Sequence, residues 1–222
     1  ALAAGRTVAV KGTGGIHLAC DARNEAAVLR LRRRKRRPEK PLAVLCRDLD
    51  TARQLCLVTE DEAALLQSPR RPIVLLEKRP DAAGLACLSE NRRLGVLLPY
   101  TPLHVLLADG SAGGPAALVL TSANLPGCPV MTGNDEALAG LQGIADGYLL
   151  HDRPIANRCD DSLVAVWQGQ ECFFRRSRGY APQPLVMPDS AADGVLALGA
   201  EQKAGFAAGR DRHVFLSQHI GD

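Results

Sequence analysis

The basic run at residues 30–40 is the stretch of this sequence best suited to binding a ligand. It reads Arg-Leu-Arg-Arg-Arg-Lys-Arg-Arg-Pro-Glu-Lys, follows a predicted helix and precedes an apolar strand. A turn at Pro38 would gather Lys35, Arg37 and Lys40 near a sheet edge, where fixed charges and forked donors suit a polyphosphate. Cations are also favoured at the negative end of a helix dipole, so a solvated helix terminus or a general nucleic-acid patch remains the alternative for this run alone.

A second group of polar residues follows the apolar stretch 117–120. Thr121, Ser122 and Asn124 present hydroxyls and a carboxamide where a strand is predicted to end. Small hydrogen-bonding groups at such a place suit a polar ligand. Serine and asparagine are also common in ordinary turns, so the cluster alone leaves both interpretations open.

Acidic and basic side chains are concentrated again towards the end of the predicted α/β region. Asp160 and Asp161 stand side by side before a predicted strand, where they would hold Mg²⁺ on a nucleotide or simply cap a turn. Arg176 and Arg178 form a second group of cations, beside a glycine and close to a proline. The glycine-rich turn 11–15 matches neither phosphate-loop pattern, although it would let a ligand approach the backbone closely.

The composition is that of a globular protein rather than a dedicated nucleic-acid binder. The chain has 222 residues, 46% of them hydrophobic, and its 27 basic and 24 acidic residues give a formal charge of +3. Seven scattered cysteines without a C-x-x-C pair predict reduced, mostly buried thiols in a cytoplasmic protein rather than disulfides or a closed zinc site. No stretch approaches the roughly 20 apolar residues of a membrane span. Because the sequence begins without Met, we expect a piece of a longer protein.

Strands and helices alternate up to residue 175, which predicts an α/β layered domain. Asn24 is a good cap for the helix that ends in the basic run, and Thr59 with Glu62 has the form of a capping box. Residues 77–93 have mixed charge and little periodicity, and are predicted to be an exposed loop. We predict one domain over residues 1–181, a proline-rich linker at 182–190 and the helix-free first strands of another domain at 191–222.

Taken together, the motifs resemble a known family. Lys-x-Arg at 35–37 with the Pro and Lys-Pro-Leu that follow, Thr-Ser-Ala-Asn at 121–124, and Arg-Ser-Arg-Gly-Tyr-Ala-Pro at 176–182 resemble the YrdC-like domain. The segments 14–21, 98–104, 151–155 and 158–162 are similar to the version of this domain in HypF, the hydrogenase maturation carbamoyltransferase family.

This resemblance implies an open, twisted mixed sheet flanked by helices, followed by the truncated start of an ASKHA-type transferase domain at residues 191–222. It implies that the acylphosphatase-like, zinc-finger and remaining transferase domains belong to the same longer chain. It also implies a reaction in which carbamate, derived from carbamoyl phosphate, is adenylated with ATP and Mg²⁺ and the carbamoyl group passes to the partner HypE. A metal role for His219, in the last strand, is not expected.

The resemblance also assigns roles to individual residues. Lys35 and Arg37 would be the catalytic residues, because the corresponding motif of the family binds the phosphates. The nucleotide-binding residues would be Lys35, Arg37, Lys40, Thr121, Ser122, Asn124, Arg176 and Arg178. The substrate pocket would be formed by His17, Tyr100, His104, Asp160 and Ser162. No metal site within the protein is expected, although Asp160 and Asp161 are candidate contacts for the Mg²⁺ that accompanies ATP.

Two other functions are compatible with the same motifs. A threonylcarbamoyl-AMP synthase for tRNA modification has the same fold and phosphate motifs, but the HypF-like segments and the second-domain tail argue against it. A YrdC-like module binding double-stranded RNA through the basic run is the other alternative. That module would lose affinity steeply with salt and would be indifferent to ATP.

Overall fold

The computed structural model describes residues 1–82, 84–111, 113–124, 127–200 and 204–218. Its helices are α1 (Glu25–Lys35), α2 (Leu49–Leu55), α3 (Glu60–Gln67), α4 (Pro102–Ala108) and α5 (Asn134–Gly140). Its strands are β1 (Val8–Lys11), β2 (Ile16–Asp21), β3 (Val44–Cys46), β4 (Cys56–Leu57), β5 (Ile73–Lys78), β6 (Arg93–Leu97), β7 (Ala117–Ser122), β8 (Gly147–Leu149), β9 (Leu163–Trp167), β10 (Gln170–Arg175), β11 (Leu185–Val186), β12 (Leu196–Leu198), β13 (Phe206–Arg210) and β14 (His213–Leu216).

The larger sheet is mixed, and this confirms the predicted architecture. Its described strands run in the order β10-β9-β5-β6-β3-β7-β2-β1-β8, with β4 paired to β5. The pairs β1/β8, β3/β6 and β5/β9 are parallel, whereas β2/β7 and β3/β7 are antiparallel. The central position of β7 places the end of that strand between β2 and β3.

Both faces of this sheet are buried, as its apolar strands require. In β3, Val44 and Cys46 belong to one hydrophobic cluster and Leu45 to the other, because successive side chains of a strand point to opposite faces. Helix α1 covers the first face with Ala27, Val28 and Leu31, all fully buried. The packing fixes the helix that carries the basic run.

The helix starts follow the predicted caps. The Asn24 side chain accepts a hydrogen bond from the Ala27 amide at 3.0 Å, and α1 begins at the next residue after this cap. Thr59 and Glu62 form the complete capping box of α3. These side chains satisfy amide groups that have no partner within the helix.

The prediction that residues 77–93 form an exposed loop is partly wrong. Its first residues belong to β5 and its last to β6, and between them Leu85 and Leu88 are buried in the core. The segment can be buried because the Arg32 guanidinium from α1 donates to the carbonyls of Cys87 at 2.7 Å and Leu88 at 3.0 Å. Its backbone thereby finds the partners that burial demands.

The smaller sheet contains the described strands β11-β14-β13-β12 and lies in the C-terminal part of the chain. The predicted series of strands without a helix is therefore present over the described residues. Leu185–Val186 within the predicted linker forms β11 and pairs with β14, so this part of the segment is a strand. Residues 201–203 and 219–222 lie outside the described residues, and with them the prediction for His219; the boundaries of the three segments stay predictions.

The cysteines are less buried than predicted. Cys20, Cys46 and Cys56 are buried, Cys87 and Cys159 are half-buried, and Cys128 and Cys172 are exposed. All are free thiols. Every helix in the described part of the chain is too short or too polar to cross a bilayer.

Candidate functional site

A cavity of about 700 Å³ collects most of the residues that the sequence predicts for a site. Its walls come from β2, the turn after α1, the end of β7, the segment before β9 and the end of β10. The predicted residues that line it are His17, Arg37, Lys40, Thr121, Ser122, Asn124, Asp160, Asp161 and Arg176. This size is typical of a site for a small molecule.

Lys35 lies beneath the cavity and joins the basic run to the end of β7. Its ammonium group, in the last turn of α1, donates to the backbone carbonyl of Ser122 and, at 3.0 Å, to Oδ1 of Asn124. The side chain is only 4% exposed. Burial, followed by the charges of Arg37 and Lys40, lowers the pKa of Lys35 to about 7. The acceptors that the described residues offer this ammonium are both neutral oxygens, so its charge is not paired with a carboxylate there.

The turn after α1 carries Arg37 to the cavity wall. Arg36 ends the helix in the left-handed region, at φ 52°, and its amide bonds back to the helix. Arg37 then donates through Nη1 to the hydroxyl of Thr121 at 3.1 Å. Burial, with smaller effects of Arg32 and Arg175, lowers its pKa to about 10. Arg37 remains a cation at neutral pH and faces the cavity with a fixed position.

Arg32 holds this turn in place, a role that the sequence analysis did not predict. Through Nη1 it donates to the carbonyls of Arg37 at 3.0 Å, Pro38 at 2.8 Å and Lys40 at 3.0 Å. One guanidinium therefore ties three carbonyls of the turn to α1. Its signal in the sequence was the spacing 28, 31, 32 and 35, which puts Arg32 on the buried face of the helix.

The Thr-Ser-Ala-Asn segment forms the floor of the cavity. Thr121 and Ser122 are the last residues of β7, so the strand continues further than predicted. Asn124 Oδ1 accepts from the Ser122 hydroxyl at 2.8 Å as well as from Lys35, while its Nδ2 donates to the Cys128 carbonyl at 2.7 Å. The carboxamide is thus held in one orientation, as a preorganised polar group must be.

The two predicted arginines of the second cluster have different positions. Arg176 lines the cavity, and its Nε and Nη1 have no hydrogen-bond partner among the described residues. Arg178 lies below the cavity, where it donates to Asp161 Oδ1 at 2.6 Å and to the carbonyls of Arg70 and Arg71 at 3.1 and 2.7 Å. The geometry therefore does not support Arg178 as a direct ligand contact, because its donors are engaged inside the protein.

A buried cluster of charged and aromatic groups supports this part of the wall. The Arg178 guanidinium lies over the Tyr100 ring, 3.5 Å from its centroid, and the Tyr100 ring meets the His104 ring edge-on at 4.5 Å. His17 Nε2 is 3.6 Å from Asp161 Oδ2. Burial alone would raise the pKa of Asp161, but the neighbouring His17 ring and the charge of Arg178 hold it well below its usual range.

The predicted pocket residues Tyr100, His104 and Ser162 belong to the support of the wall rather than to its surface. His104 is completely buried, and burial lowers its pKa to about 4, so the ring is neutral at physiological pH. The Ser162 hydroxyl donates to the Arg178 carbonyl at 2.8 Å and accepts from the Ser177 amide at 2.8 Å. None of the three lines the cavity, whereas His17 does.

The two aspartates are not equivalent. Asp161 is buried and already neutralised by Arg178. Asp160 lines the cavity next to it. In the described part of the chain, no group of three His, Cys, Asp or Glu side chains is placed to hold a metal ion. The donor set fits a cation that arrives with phosphates and gains at most Asp160 from the protein.

The glycines of the turn 11–15 serve the packing of the chain. A Cβ at Gly14 would stand 2.2 Å from the Cys159 carbonyl, and one at Gly15 would stand 2.6 Å from a methyl group of Val130. Cys159 also donates its amide to the Gly14 carbonyl at 2.9 Å. These glycines let the turn pack directly against the segments that carry Val130 and Cys159, so their close backbone approach is to the protein and not to a ligand.

Two residues of the cavity wall with side chains suited to a ligand, Phe174 and Arg175, were not among the predicted site residues. Phe174 lines the cavity on β10 with 66% of its surface exposed. Arg175 lines it too, and is fixed by a hydrogen bond from Nε to the Asp161 carbonyl at 2.7 Å. An exposed aromatic beside two arginines is suited to a planar, anionic ligand.

The chain is similar to known proteins over its whole length. Residues 1–177 match the Sua5/YciO/YrdC family model, described as "Telomere recombination", and residues 190–222 match the "HypF Kae1-like domain". Carbamoyltransferase HypF2 of Cupriavidus necator is 48% identical, and carbamoyltransferase HypF of Rhizobium leguminosarum bv. viciae is 47% identical. The alignments cover 98% and 99% of this chain, which spans 29% of each of these relatives.

Solved structures give the same result. A crystal structure of full-length HypF in the phosphate- and nucleotide-bound form matches with a TM-score of 0.89 and 42% identity, covering 100% of this chain and 35% of that chain. HypF of T. kodakarensis matches with a TM-score of 0.91 and 40% identity, covering 100% and 28%. Sua5 of P. abyssi complexed with L-threonine, 18% identical with a TM-score of 0.68 over 79% of this chain and 52% of that chain, shares the fold.

Proposed function

Because the chain belongs to the Sua5/YciO/YrdC family and is homologous over its length to HypF carbamoyltransferases, we propose that it forms carbamoyl-AMP from carbamate and ATP. The observation that carries this proposal is the bonding of Lys35 to Ser122 and Asn124 at the base of the cavity. It unites the basic run and the polar cluster in one place. The nucleotide-bound form of a HypF with 42% identity supports the choice of ligand.

The reaction needs charge compensation more than acid–base chemistry. A carbamate oxygen attacks the α-phosphorus of ATP, the bond to the β-phosphate oxygen breaks, and pyrophosphate leaves. The nucleophile is already an anion, so positioning and stabilisation of the phosphates are the main requirements. In the proposed complex, Arg37, Lys40 and Arg176 contact the phosphates from the wall. Lys35 would supply a positive charge from below, because the neighbouring phosphates favour its protonated form.

The floor and the rim of the cavity would orient the rest of the nucleotide. The Thr121 hydroxyl accepts from Arg37 and would donate its own hydrogen to a phosphate oxygen, whereas the Ser122 hydroxyl would first have to release Asn124. Phe174 would offer a face for the adenine to stack on. Mg²⁺ would neutralise phosphate charge when it binds with ATP, with Asp160 as its candidate protein ligand. His17 is the predicted pocket residue that remains available at the surface for the carbamate.

In the longer enzyme we propose that carbamoyl phosphate is the source of the carbamate and HypE the acceptor. The carbamoyl group of carbamoyl-AMP would pass to a terminal cysteine thiol of HypE, with release of AMP, for cyanide-ligand synthesis in [NiFe]-hydrogenase maturation. The acylphosphatase, zinc-finger and transferase domains of the same chain would carry the steps before and after adenylation. The carbamoyltransferase names of the relatives support this assignment.

Product analysis by mass spectrometry tests the proposal on the 222-residue chain. The chain is incubated with ATP, Mg²⁺, bicarbonate and ammonia, or with threonine in place of ammonia. We expect carbamoyl-AMP and pyrophosphate, reduced about 10²- to 10³-fold by Lys35→Ala or Arg37→Ala, since each removes a preorganised group from the phosphate site. Arg33→Ala is the matched control, because Arg33 is exposed in the same basic run.

Each other result would change the assignment. Threonylcarbamoyl-AMP as the product would make the chain a synthase for tRNA modification. A loss below about tenfold in both variants would mean that Lys35 and Arg37 do not stabilise the phosphates in the reaction. Binding of double-stranded RNA that falls steeply with salt and ignores ATP would favour an RNA-binding module.

A further inference from the structure

A second cavity, of about 510 Å³, lies between the turn of β1 and β2, the start of α4 and the segment 151–157. No residue lines both this cavity and the one described above. The two are neighbours, because a Cβ on Gly12 in the second cavity would stand 3.0 Å from the His17 ring of the first. Two of the segments that line the second cavity, 98–104 and 151–155, are among those that resemble HypF in the sequence. The residues of these segments that line the second cavity have no role in the proposed function.

The charge of this cavity has one sign. Lys11 and Arg153 line it, and none of its lining residues is acidic. Lys11 is only 3% exposed, and its ammonium donates to the His151 carbonyl at 3.0 Å. A buried ammonium group that bonds a neutral carbonyl is poorly compensated, because burial of a charge is costly unless an opposite charge accompanies it.

An unsatisfied polar atom points to the same conclusion. Nδ1 of His151 is buried and has no hydrogen-bond partner among the described residues. Buried polar atoms without partners are rare in native proteins and call for an explanation. Lys11 and His151 both line this cavity, so a single polar ligand group can face both residues.

The rest of the lining is suited to a ligand with an apolar body. Leu103 and Ile155 contribute apolar surface, while Thr101 and Asn157 contribute a hydroxyl and a carboxamide. Thr101 Oγ1 accepts from the His104 amide at 3.1 Å, which leaves its own hydrogen for another acceptor. A volume of about 510 Å³ is larger than an inorganic phosphate requires and falls within the range of small-molecule sites.

We propose that this cavity is a second binding site, for a small organic oxyanion, separate from the nucleotide cavity. The oxyanion lies against Lys11 and His151, Arg153 attracts it at the mouth, and the apolar body packs on Leu103 and Ile155. A phosphate ester and a carboxylate share this chemistry. The site goes beyond carbamate adenylation and does not depend on it.

Titrations of the ¹⁵N-labelled chain, followed by NMR, test the proposal. The probes are phenyl phosphate, benzoate, inorganic phosphate and phenol, each added with and without saturating ATP. We expect phenyl phosphate or benzoate to shift the amide signals of Gly12, Leu103 and Ala156 whether or not ATP is present. Inorganic phosphate should bind more weakly, since it has no apolar body, and phenol should cause no shift, since it has no charge.

Two variants with matched controls locate the charge. Lys11→Met should weaken phenyl phosphate binding about tenfold to hundredfold, the loss expected for a charge-assisted hydrogen bond. Its control is Lys78→Met, because Lys78 also donates to a carbonyl, that of Ser89 at 2.9 Å, but lines neither cavity. Arg153→Ala, at an exposed position that tolerates truncation, should weaken binding about twofold to fivefold, and Arg33→Ala should not.

The proposal is overturned by any of three results. The first is that none of the anions shifts the amides of this cavity. The second is that ATP abolishes the shifts, which would place the probe in the nucleotide cavity. The third is that Arg153→Ala and a folded Lys11→Met bind phenyl phosphate as tightly as the parent chain. Because the readout is binding at named amides, it is independent of whether the chain adenylates carbamate.

Discussion

Asp161→Asn is expected to destabilise the chain strongly, although the substitution is nearly isosteric. The Asp161 carboxylate is 9% exposed and accepts from Arg178 Nε at 2.6 Å, and Arg178 itself is 15% exposed. The amide would leave the guanidinium buried without its counter-charge. Removal of one partner of a buried ion pair typically costs about 3 to 5 kcal/mol. Because Arg178 keeps its bonds to two carbonyls and its position over Tyr100, we expect about 3 kcal/mol.

The pH dependence gives this prediction a second test. The folded chain holds the pKa of Asp161 well below its ordinary 3.8, so the pair contributes stability above the unfolded pKa and loses it as pH falls through the folded pKa. The difference in free energy of unfolding between parent and variant should therefore be constant from about pH 5 to pH 8 and shrink only in stronger acid. A difference that disappears near neutral pH would contradict this sign.

Urea unfolding followed by circular dichroism provides the measurement. Asp50→Asn is the control, because Asp50 is 89% exposed and its ion pair with Arg53 is 3.9 Å long, so the loss should stay below about 0.5 kcal/mol. In the Asp161→Asn background, Arg178→Met should cost less than in the parent, since the uncompensated charge leaves with it. The reasoning is refuted if Asp161→Asn costs under about 1 kcal/mol, as the exposed control does.

Three other predictions concern the site and its support. Between its folded pKa of about 7 and its ordinary 10.5, Lys35 binds a proton only when the chain unfolds. The free energy of unfolding of the parent should therefore rise with pH relative to that of Lys35→Met, by up to about 1.4 kcal/mol per pH unit. Urea titrations of both proteins at pH 7.5 and 9.5 measure this difference, and a difference that does not change with pH contradicts the prediction. Gly179→Ala should cost about 2 to 4 kcal/mol, because φ is +87° and a Cβ would stand 2.5 Å from a carbonyl, whereas Gly143→Ala, at φ +75° in open space, should cost about 1 kcal/mol. Phe174→Ala should weaken ATP binding in calorimetry about fivefold to hundredfold if adenine stacks there, and the exposed Trp167→Ala should not; equal effects would remove the stacking role.

Much of the fold follows from local rules that act alone. The caps Asn24 and Thr59 satisfy amides of their own helices, so their function is decided within four residues of sequence. The apolar strands are buried on both faces and show as continuous runs, as in β3 and β7. By contrast, the burial of Leu85 and Leu88 depends on Arg32, which is more than fifty positions away, and no local pattern could reveal its bonds to this segment.

The candidate site was predictable where its residues stand at the end of a strand or a helix. Lys35 ends α1 and Ser122 ends β7, and the layering of a helix on a sheet brought these ends together. The roles of Arg176 and Arg178 were not separable from the sequence, because both are cations two positions apart. The distinction arises from Asp161, whose buried carboxylate draws one arginine inwards.

The same electrostatic argument explains why the cavity is suited to an anion. Asp161 forms an ion pair with Arg178, so its charge does not offset the charges of Arg37 and Arg176 on the wall. Burial also lowers the pKa values of Lys35 and Arg37, which means that keeping these two side chains charged costs free energy. A polyphosphate bound beside them would offset that cost, because an opposite charge favours the protonated form of both groups.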